Sequence, residues 1–528
     1  TYRFLHDRVQ QAAYSLIPVD RRQVEQLQIG RLLLAQADRE QQGVKLFDLV
    51  NRLNIGRSLM TDPLELTHLA QLNLAAAQKA RLATAYQSAL EYASSGISLL
   101  TTIGWQEQYD LLLSLHYIAA ETAFLQGELD RSTNLVATVI KQAKTILDRV
   151  PVYETQIQLF SSQKNYPQAI EWGLKILAQL GLRIPANPSK LQLLGALAKT
   201  KLLLSSRSIE TLLQLPLMQN PQTIAAMRIL DLLSYPAYDY SKSLLSWMAF
   251  VGVERSVAEG NSIWSARAYS LYSVVLANVR DFAGSYQMGQ LALRLFDLLP
   301  NLAIEAKVKF DAAFFSQPCR QPLRDSLPLH QAAIQAAFAS GDLLYGGKAY
   351  YGDCAVRMHL GEPLDELLVL AETYRQAIVV TQDRSSIFLM EILYQLILKL
   401  QRPDLNPHHL LDSEATDLQT MAELARDRGT LDLSVFYAYK QYLAYIFADI
   451  PTALKYADLY VPFEHENSAP FSSIQLAYIE ALIRLAAYPD SLPKQQQQLL
   501  ARVTQIQKTF ARRAKLAPFN LQVKSDLI

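Results

Sequence analysis

Two neighbouring segments, Tyr437-Ala438-Tyr439-Lys440-Gln441-Tyr442-Leu443-Ala444-Tyr445-Ile446-Phe447 and Thr452-Ala453-Leu454-Lys455-Tyr456-Ala457-Asp458-Leu459-Tyr460, decide the fold, together with the turn Asp449-Ile450-Pro451 between them. The first is apolar on nearly every side, as a helix sandwiched between others must be. The second places Ala453, Tyr456, Ala457 and Tyr460 at i, i+3, i+4 and i+7, one stripe of an amphipathic helix. Small alanines let two helices approach closely, and tyrosines fill the gaps between pairs. The 27 tyrosines of the chain therefore have a packing role before any other.

The same pattern recurs outward from this pair: an apolar helix, a short turn carrying an acidic residue or Asn, then an amphipathic helix that begins near a small residue. The clearest turns are Gly127-Glu128-Leu129, Asn165-Tyr166-Pro167, Asp281-Phe282-Ala283-Gly284 and Gly361-Glu362-Pro363. From Glu128 through Asn165, Asp281 and Glu362 to Asp449 the separations are 37, 116, 81 and 87 residues. These lie near one, three, two and two units of about forty residues, the length of a two-helix repeat. One helix pair cannot bury its apolar face alone, so each stacks on the next and a continuous core forms. The expected fold is all-α, an α-solenoid of stacked antiparallel helix pairs.

Composition agrees with stacking. The chain has 528 residues, and single cores rarely exceed roughly 250–300. Half the residues are apolar and 19% are charged, which is the make-up of a folded protein. Only 19 glycines occur, a scarcity that suits helices better than a turn-rich sheet protein. Prolines supply punctuation: Pro185 and Pro188 after Leu180-Gly181-Leu182, then Pro318, Pro322 and Pro328 around Cys319, then Pro403 and Pro407 after Leu400. Gln495 to Gln498 read as the solvated start of a helix.

A net charge of +1 gives no electrostatic bias toward nucleic acid or acidic membranes. Lys508, Arg512, Arg513 and Lys515 form the most basic cluster and read as a solvated helix face rather than a phosphate patch. Two cysteines, Cys319 and Cys354, are too few for a disulfide framework or a zinc site, which suits a reducing cytoplasm. No apolar run reaches the ~18 residues of a membrane span; Ile387 to Leu400 is interrupted by Glu391, Gln395 and Lys399. Thr1 at the start and Lys524-Ser525-Asp526-Leu527-Ile528 at the end read as cuts, so a segment of a longer protein is expected.

Several stretches resemble one family. Phe4-Leu5-His6-Asp7-Arg8-Val9-Gln10-Gln11-Ala12-Ala13-Tyr14 is similar to the end of the winged-helix region that follows the nucleotide-binding core of STAND-type AAA ATPases. Gln28-Ile29-Gly30-Arg31-Leu32-Leu33-Leu34 resembles the helix that comes next, and Leu46 through Asn51-Arg52-Leu53-Asn54-Ile55-Gly56 the family's NxLNxG stretch. Leu72-Asn73-Leu74, Thr84-Ala85-Tyr86 and Ala89-Leu90-Glu91-Tyr92 are similar to its first repeat. The likeness continues through Ala119-Ala120-Glu121, Gln142-Ala143-Lys144 and Val150-Pro151-Val152-Tyr153-Glu154. It is dense to about residue 185 and thinner beyond.

The family comprises large hybrid signalling proteins of cyanobacteria and other bacteria. In order they carry a Ser/Thr kinase domain, an AAA ATPase module, a tetratricopeptide-like region, a GAF sensor and a histidine kinase. The resemblance implies residues 1–19 as the end of the ATPase-associated winged helix and 20–185 as a first repeat block. A second block would span 186–330, and a third 331–528. The resemblance transfers no catalytic residue; ATP and magnesium would belong to domains outside this segment.

The motifs that carry chemistry are incomplete in this sequence. Tyr345-Gly346-Gly347-Lys348-Ala349 resembles part of G-x-x-x-x-G-K-[S/T], but Asp342 replaces the first glycine and Ala349 cannot ligate magnesium. His6-Asp7-Arg8 is not H-R-D, and Asp281-Phe282-Ala283 lacks the glycine of D-F-G; Asp7 reads as an N-cap. His408-His409 and His465 lack the spacing of a metal site and read as surface residues, while Cys319 and Cys354 read as buried small residues. No catalytic, cofactor or metal residue is assigned, and the binding residues are left open. The expected function is a non-catalytic, cytoplasmic sensor and interaction arm. Its partners would be a protein or peptide on the concave face and the adjacent ATPase module, with homo-oligomerisation possible. A scaffold for self-association or docking, and the repeat arm of a STAND-type transcription activator, are the alternatives.

Overall fold

A computed structural model of the chain describes residues 18–36, 39–402, 404–406, 408–426, 430–463 and 470–528. The stretch similar to a winged helix, with His6 and Asp7, lies outside these residues, as do His465, Pro403 and Pro407. The described residues are all-α and contain no β-strand; one isolated parallel bridge joins Leu217 and Asn261. The fold is a helical-repeat array, as the pattern around Tyr437–Tyr460 requires.

The residues divide into two compact units, 1–186 with 228–242, and 187–227 with 243–528. In the first unit, helices α1 (Val19–Gln36) and α2 (Arg39–Ile55) pair, then α3 (Pro63–Leu82) with α4 (Tyr86–Leu99), α5 (Tyr109–Leu125) with α6 (Leu129–Gln142), and α7 (Ile146–Ser162) with α8 (Tyr166–Gln179). Next come α9 (Lys190–Ser205) and the short α10 (Ile209–Leu213), both in the second unit, and α11 (Pro221–Tyr240), through which the division passes. The second unit continues with α12 (Lys242–Glu259), the hairpin α13 (Ile263–Asn278) and α14 (Phe282–Leu298), then α15 (Leu302–Asp311). Further hairpins are α16 (Leu327–Ser340) with α17 (Leu343–Leu360), and α18 (Leu364–Ile378) with α19 (Arg384–Gln401). After α20 (Glu414–Arg426) come the pair α21 (Thr430–Ile446) and α22 (Ile450–Tyr460), then α23 (Pro470–Ala487), α24 (Pro493–Ala514) and α25 (Pro518–Leu527).

One turn recurs within the hairpins of both units. The first helix stops at a left-handed residue: Thr84, Gly127, Lys164, Arg280, Gly341 and Ala448, with φ between 57 and 79°. The next residue donates its N–H to the carbonyl five positions back, Asn165 to Phe160 (2.8 Å), Asp281 to Leu276 (2.8 Å) and Asp449 to Ala444 (2.9 Å) among them. This closure satisfies carbonyls that the helix end would leave open. The same residue then caps the second helix, Asp281 accepting from the Gly284 N–H (3.0 Å) and Asp449 from the Thr452 N–H (3.2 Å). Four residues further on stands a small side chain, Ala89, Ser132, Ala169, Ser285 or Ala453, each fully buried against the preceding helix. Ser132 also donates its hydroxyl to the Ala120 carbonyl (2.8 Å).

Glu128, Asn165, Asp281 and Asp449 therefore mark the bend inside a hairpin. Glu362 does not: it lies between α17 and α18, where Gly361 (φ 74°) makes a similar stop between hairpins. The spacing of about forty residues shifts register there. Regularity also fails around Cys319. Helix α15 runs into a π-turn at Ala312–Ser316 and two 3₁₀ turns, Gln317–Cys319 and Leu323–Ser326, where Pro318 and Pro322 have no N–H to offer.

Candidate functional site

The side chains singled out for chemistry lie apart from one another where they are described. Tyr345 to Lys348 lie inside α17, and Asp281 is a helix cap. Cys319 and Cys354 are buried free thiols, and burial pushes the Cys319 thiol up to about 12. His408 is exposed and meets Asp449 at 3.2 Å. Among the described residues no three His, Cys, Asp or Glu side chains converge as a metal site would need, and no helix is long and apolar enough to cross a membrane.

A different feature stands out in the second unit. Helix α9, Lys-Leu-Gln-Leu-Leu-Gly-Ala-Leu-Ala-Lys-Thr-Lys-Leu-Leu-Leu-Ser, buries a single residue, Thr200. At ~100° per residue, Leu191, Leu194, Ala198 and Leu202 fall on the side opposite Thr200. Leu191, Leu194 and Leu202 are 80, 63 and 76% exposed, and an atom added at Gly195 would meet nothing within 4 Å. Single exposed leucines are ordinary on a protein surface, whereas a continuous stripe is the mark of a contact surface.

The helix is held from its flanks. Lys199 pairs with Glu254 at 2.6 Å, Thr200 reaches the same carboxylate at a long 3.4 Å, and Lys201 pairs with Asp281 at 2.5 Å. The segment after it is laced down as well. Asn261 donates its side chain to the Leu212 carbonyl (2.7 Å) and its N–H to the Pro216 carbonyl (2.8 Å), while the Met218 N–H bonds the Asn261 carbonyl (2.8 Å). Gly260 (φ 101°) is required at this corner, because a Cβ there would sit 2.2 Å from the Pro216 oxygen.

Beside the C-terminal end of α9 opens a cleft of about 580 Å³. Lys201, Arg207 and Glu210 line one wall, and Tyr272, Asp281 and Gln287 the other. Volumes of 300–1,000 Å³ are typical of ligand pockets. The stripe and the cleft together offer an apolar strip ending in a polar, charged recess. Nothing in the pattern of repeats pointed to this helix. The signal available was compositional: seven leucines and no acidic residue in sixteen positions, with no polar face to turn toward water.

No family model matches the chain. Among curated proteins it is similar to hybrid signal transduction histidine kinase G of Dictyostelium discoideum, with 23% identity over 464 residues. It is related to a signalling protein. The alignment takes in 79% of this chain and only 13% of that kinase, so the chain spans about an eighth of its relative's length.

Proposed function

We propose that this chain is the non-catalytic regulatory arm of a multidomain signalling kinase, and that it works by holding a partner helix on α9 and passing the occupancy on to the modules it is joined to. The exposed stripe Leu191, Leu194 and Leu202 carries the reading. It is supported by the helical hairpins and by the similarity to a signalling histidine kinase over most of the chain.

The occupant is an amphipathic helix with one acidic end. Helix α9 has no acidic side chain, and although Lys199 and Lys201 are shared with Glu254 and Asp281, Lys190 at its start favours a partner of opposite sign. Burying a leucine contributes about 1.5–3 kcal/mol, and association costs on the order of 4–15 kcal/mol. Three leucines alone give a weak contact, and the neighbouring cleft must supply the rest. A weak contact suits a relay, because the partner has to be released when the signal changes. The resemblance of the early residues to STAND-type proteins makes the ATPase module the nearest target, with residues 1–19 as its edge and the repeat blocks 20–185, 186–330 and 331–528 as the arm.

The test is nucleotide turnover by the parent protein in three forms: intact, lacking residues 20–528, and carrying Leu191→Ser, Leu194→Ser and Leu202→Ser together. A restraining arm predicts faster turnover on deletion, with the triple variant, whose core is untouched, moving in the same direction. Unchanged turnover in both would reject the regulatory reading and leave a scaffold.

A further inference from the structure

A second pocket of the same unit has the make-up of an anion site. It is formed where α24 packs beside α22, α23 and the turn between α13 and α14, and its volume is about 130 Å³. An engineered cavity of roughly 150 Å³ holds one benzene, so the space admits a group of that size. Three arginines line it, Arg280, Arg502 and Arg513, against one carboxylate, Glu480.

That carboxylate is already engaged. Glu480 is 1% exposed and accepts from the Arg484 Nε at 2.8 Å and from Arg502 in a two-pronged pair at 2.8 and 2.9 Å. Arg513 is different. Its guanidinium lies 4.2 Å from the centre of the Phe282 ring, one terminal nitrogen reaches the Ser473 hydroxyl at a long 3.4 Å, and its buried Nε has no partner. Burial first, and then the nearby Arg280, push its pKa down to about 10. Ser473, Tyr460, Asn278 and Gln505 line the same space with hydroxyl and amide groups, while the Thr509 hydroxyl, also in the lining, donates to the Gln505 carbonyl (3.1 Å). A planar fork of N–H groups next to hydroxyl and amide donors is the arrangement that receives a tetrahedral oxyanion.

The sequence treated Lys508, Arg512, Arg513 and Lys515 as one solvated face. Lys508, Arg512 and Lys515 are exposed, but Arg513 turns inward. It stands one residue before the buried Ala514 and three after the buried Phe510, on the packed side of α24. A helix that half-buries one arginine of a basic cluster incurs a desolvation cost that an anion would offset.

We infer that this pocket binds a phosphate-sized oxyanion, with Arg513 as its principal ligand and Arg280 adding positive charge to the wall, while Arg502 stays paired with Glu480. The source is inorganic phosphate or the phosphate of a monoester entering past Asn278 and Gln505, both exposed at the mouth. The proposal is independent of the α9 surface.

Thermal unfolding of the 528-residue chain, followed in chloride at fixed ionic strength, tests it. Inorganic phosphate and phenyl phosphate are titrated separately, with Arg513→Gln and Arg512→Gln beside the wild type. Phosphate strengthens burial of any protein in a general way, and that response does not saturate and is shared by all three proteins. The expected result is a saturable rise in Tm for the wild type and for Arg512→Gln. Arg513→Gln should lose it, its apparent Kd weakening at least about tenfold. Without phosphate, Arg513→Gln should melt no lower than the wild type, because it removes a desolvated charge; this separates loss of the site from loss of the fold. Saturation by both ligands assigns the site to monoesters, and saturation by inorganic phosphate alone assigns it to the free ion. Absence of a saturable response in the wild type, or an equal response in Arg513→Gln, overturns the inference.

Discussion

The two units solve the same packing problem with different interiors. In the first, the core is aliphatic and small: Leu69, Ala70, Ala77, Leu90, Ala93, Leu115 and Ala119. Among its buried polar contacts, Asn54 and Asn73 exchange two amide hydrogen bonds of 2.9 Å, neutral on both sides. In the second, aromatic rings join the aliphatic residues, with Phe310, Phe315, Tyr345, Tyr374, Phe436 and Tyr439 in one cluster, and full charges are buried in the same unit. Arg267, 2% exposed, pairs with Asp311, which also accepts from Ser270 (2.6 Å), and Arg267 donates to the Tyr345 hydroxyl (2.8 Å). Lys440 pairs with Asp417 at 2.7 Å and also donates to the His408 carbonyl (2.7 Å), so that α21 holds the loop before α20. A buried pair adds little net stability when complete and costs heavily when halved. The second unit is therefore specified by charge partners, and the first by volume.

The sharpest way to break this contrast is to halve a pair. Arg267→Met leaves Asp311 buried beside Ser270 without its cation, and is expected to destabilise the second unit by about 3–5 kcal/mol. Adding Asp311→Leu should restore most of that loss, since an apolar replacement of both partners is close to neutral. Urea unfolding of the single and double variants checks this. If the single variant loses under 1 kcal/mol, the buried charges do not specify the unit and the contrast fails.

The first unit also buries carboxylates, Glu154 and Asp231, and Glu154 sharpens the comparison. Glu154 on α7 is 5% exposed; one carboxylate oxygen meets Arg228 at 2.8 Å and the other has no partner. Arg228 is half exposed, so its charge is shared with water and only partly offsets the loss of hydration. Burial wins and raises the pKa from its ordinary 4.5 to about 7, with Glu121 adding to the rise. Because the folded pKa is the higher one, the native state holds the proton more tightly. Its contribution is most favourable below about 4.5 and is lost as pH rises through about 7. A shift of this size corresponds to at most about 3 kcal/mol. Glu154→Gln should abolish that part of the pH dependence and stabilise the chain at pH 8, read by urea midpoints at pH 5 and pH 8.

How much of this was legible follows from which interactions are local. The hairpin turns were readable because Gly127-Glu128, Asn165 and Asp449 combine a helix stop with a cap inside a few residues. Small side chains such as Ala169 and Ala453 had to follow at a fixed interval. Glu362 misled because a stop between hairpins uses the same residues as one within a hairpin. The pocket was hidden for another reason. Arg513 reads like Arg512 along the chain, and only its contacts with Phe282, more than two hundred residues away, and Ser473 show that one of them faces inward. Helix α9 was hidden by its excess of leucine: with Leu on every side, periodicity gives no outer face, and Thr200 is the one residue that reveals the inner one.

The smallest effect concerns the element both units share. The left-handed residue between paired helices is glycine at Gly127 and Gly341 but Thr84, Lys164, Arg280, Gln382 and Ala448 elsewhere. A side chain in this conformation costs roughly 1–2 kcal/mol, most for a β-branched residue. At Thr84 (φ 57°) the hydroxyl bonds only the adjacent Ala83 carbonyl (2.7 Å). Thr84→Gly should therefore stabilise the first unit by about 0.5–1 kcal/mol, after the extra freedom that glycine gives the unfolded chain is subtracted. The same change at Arg280 should stabilise the second unit's turn similarly, yet remove a cation from the wall of the arginine pocket. If the oxyanion site is real, Arg280→Gly raises Tm in chloride and weakens the phosphate response, while Thr84→Gly raises Tm and leaves that response unchanged.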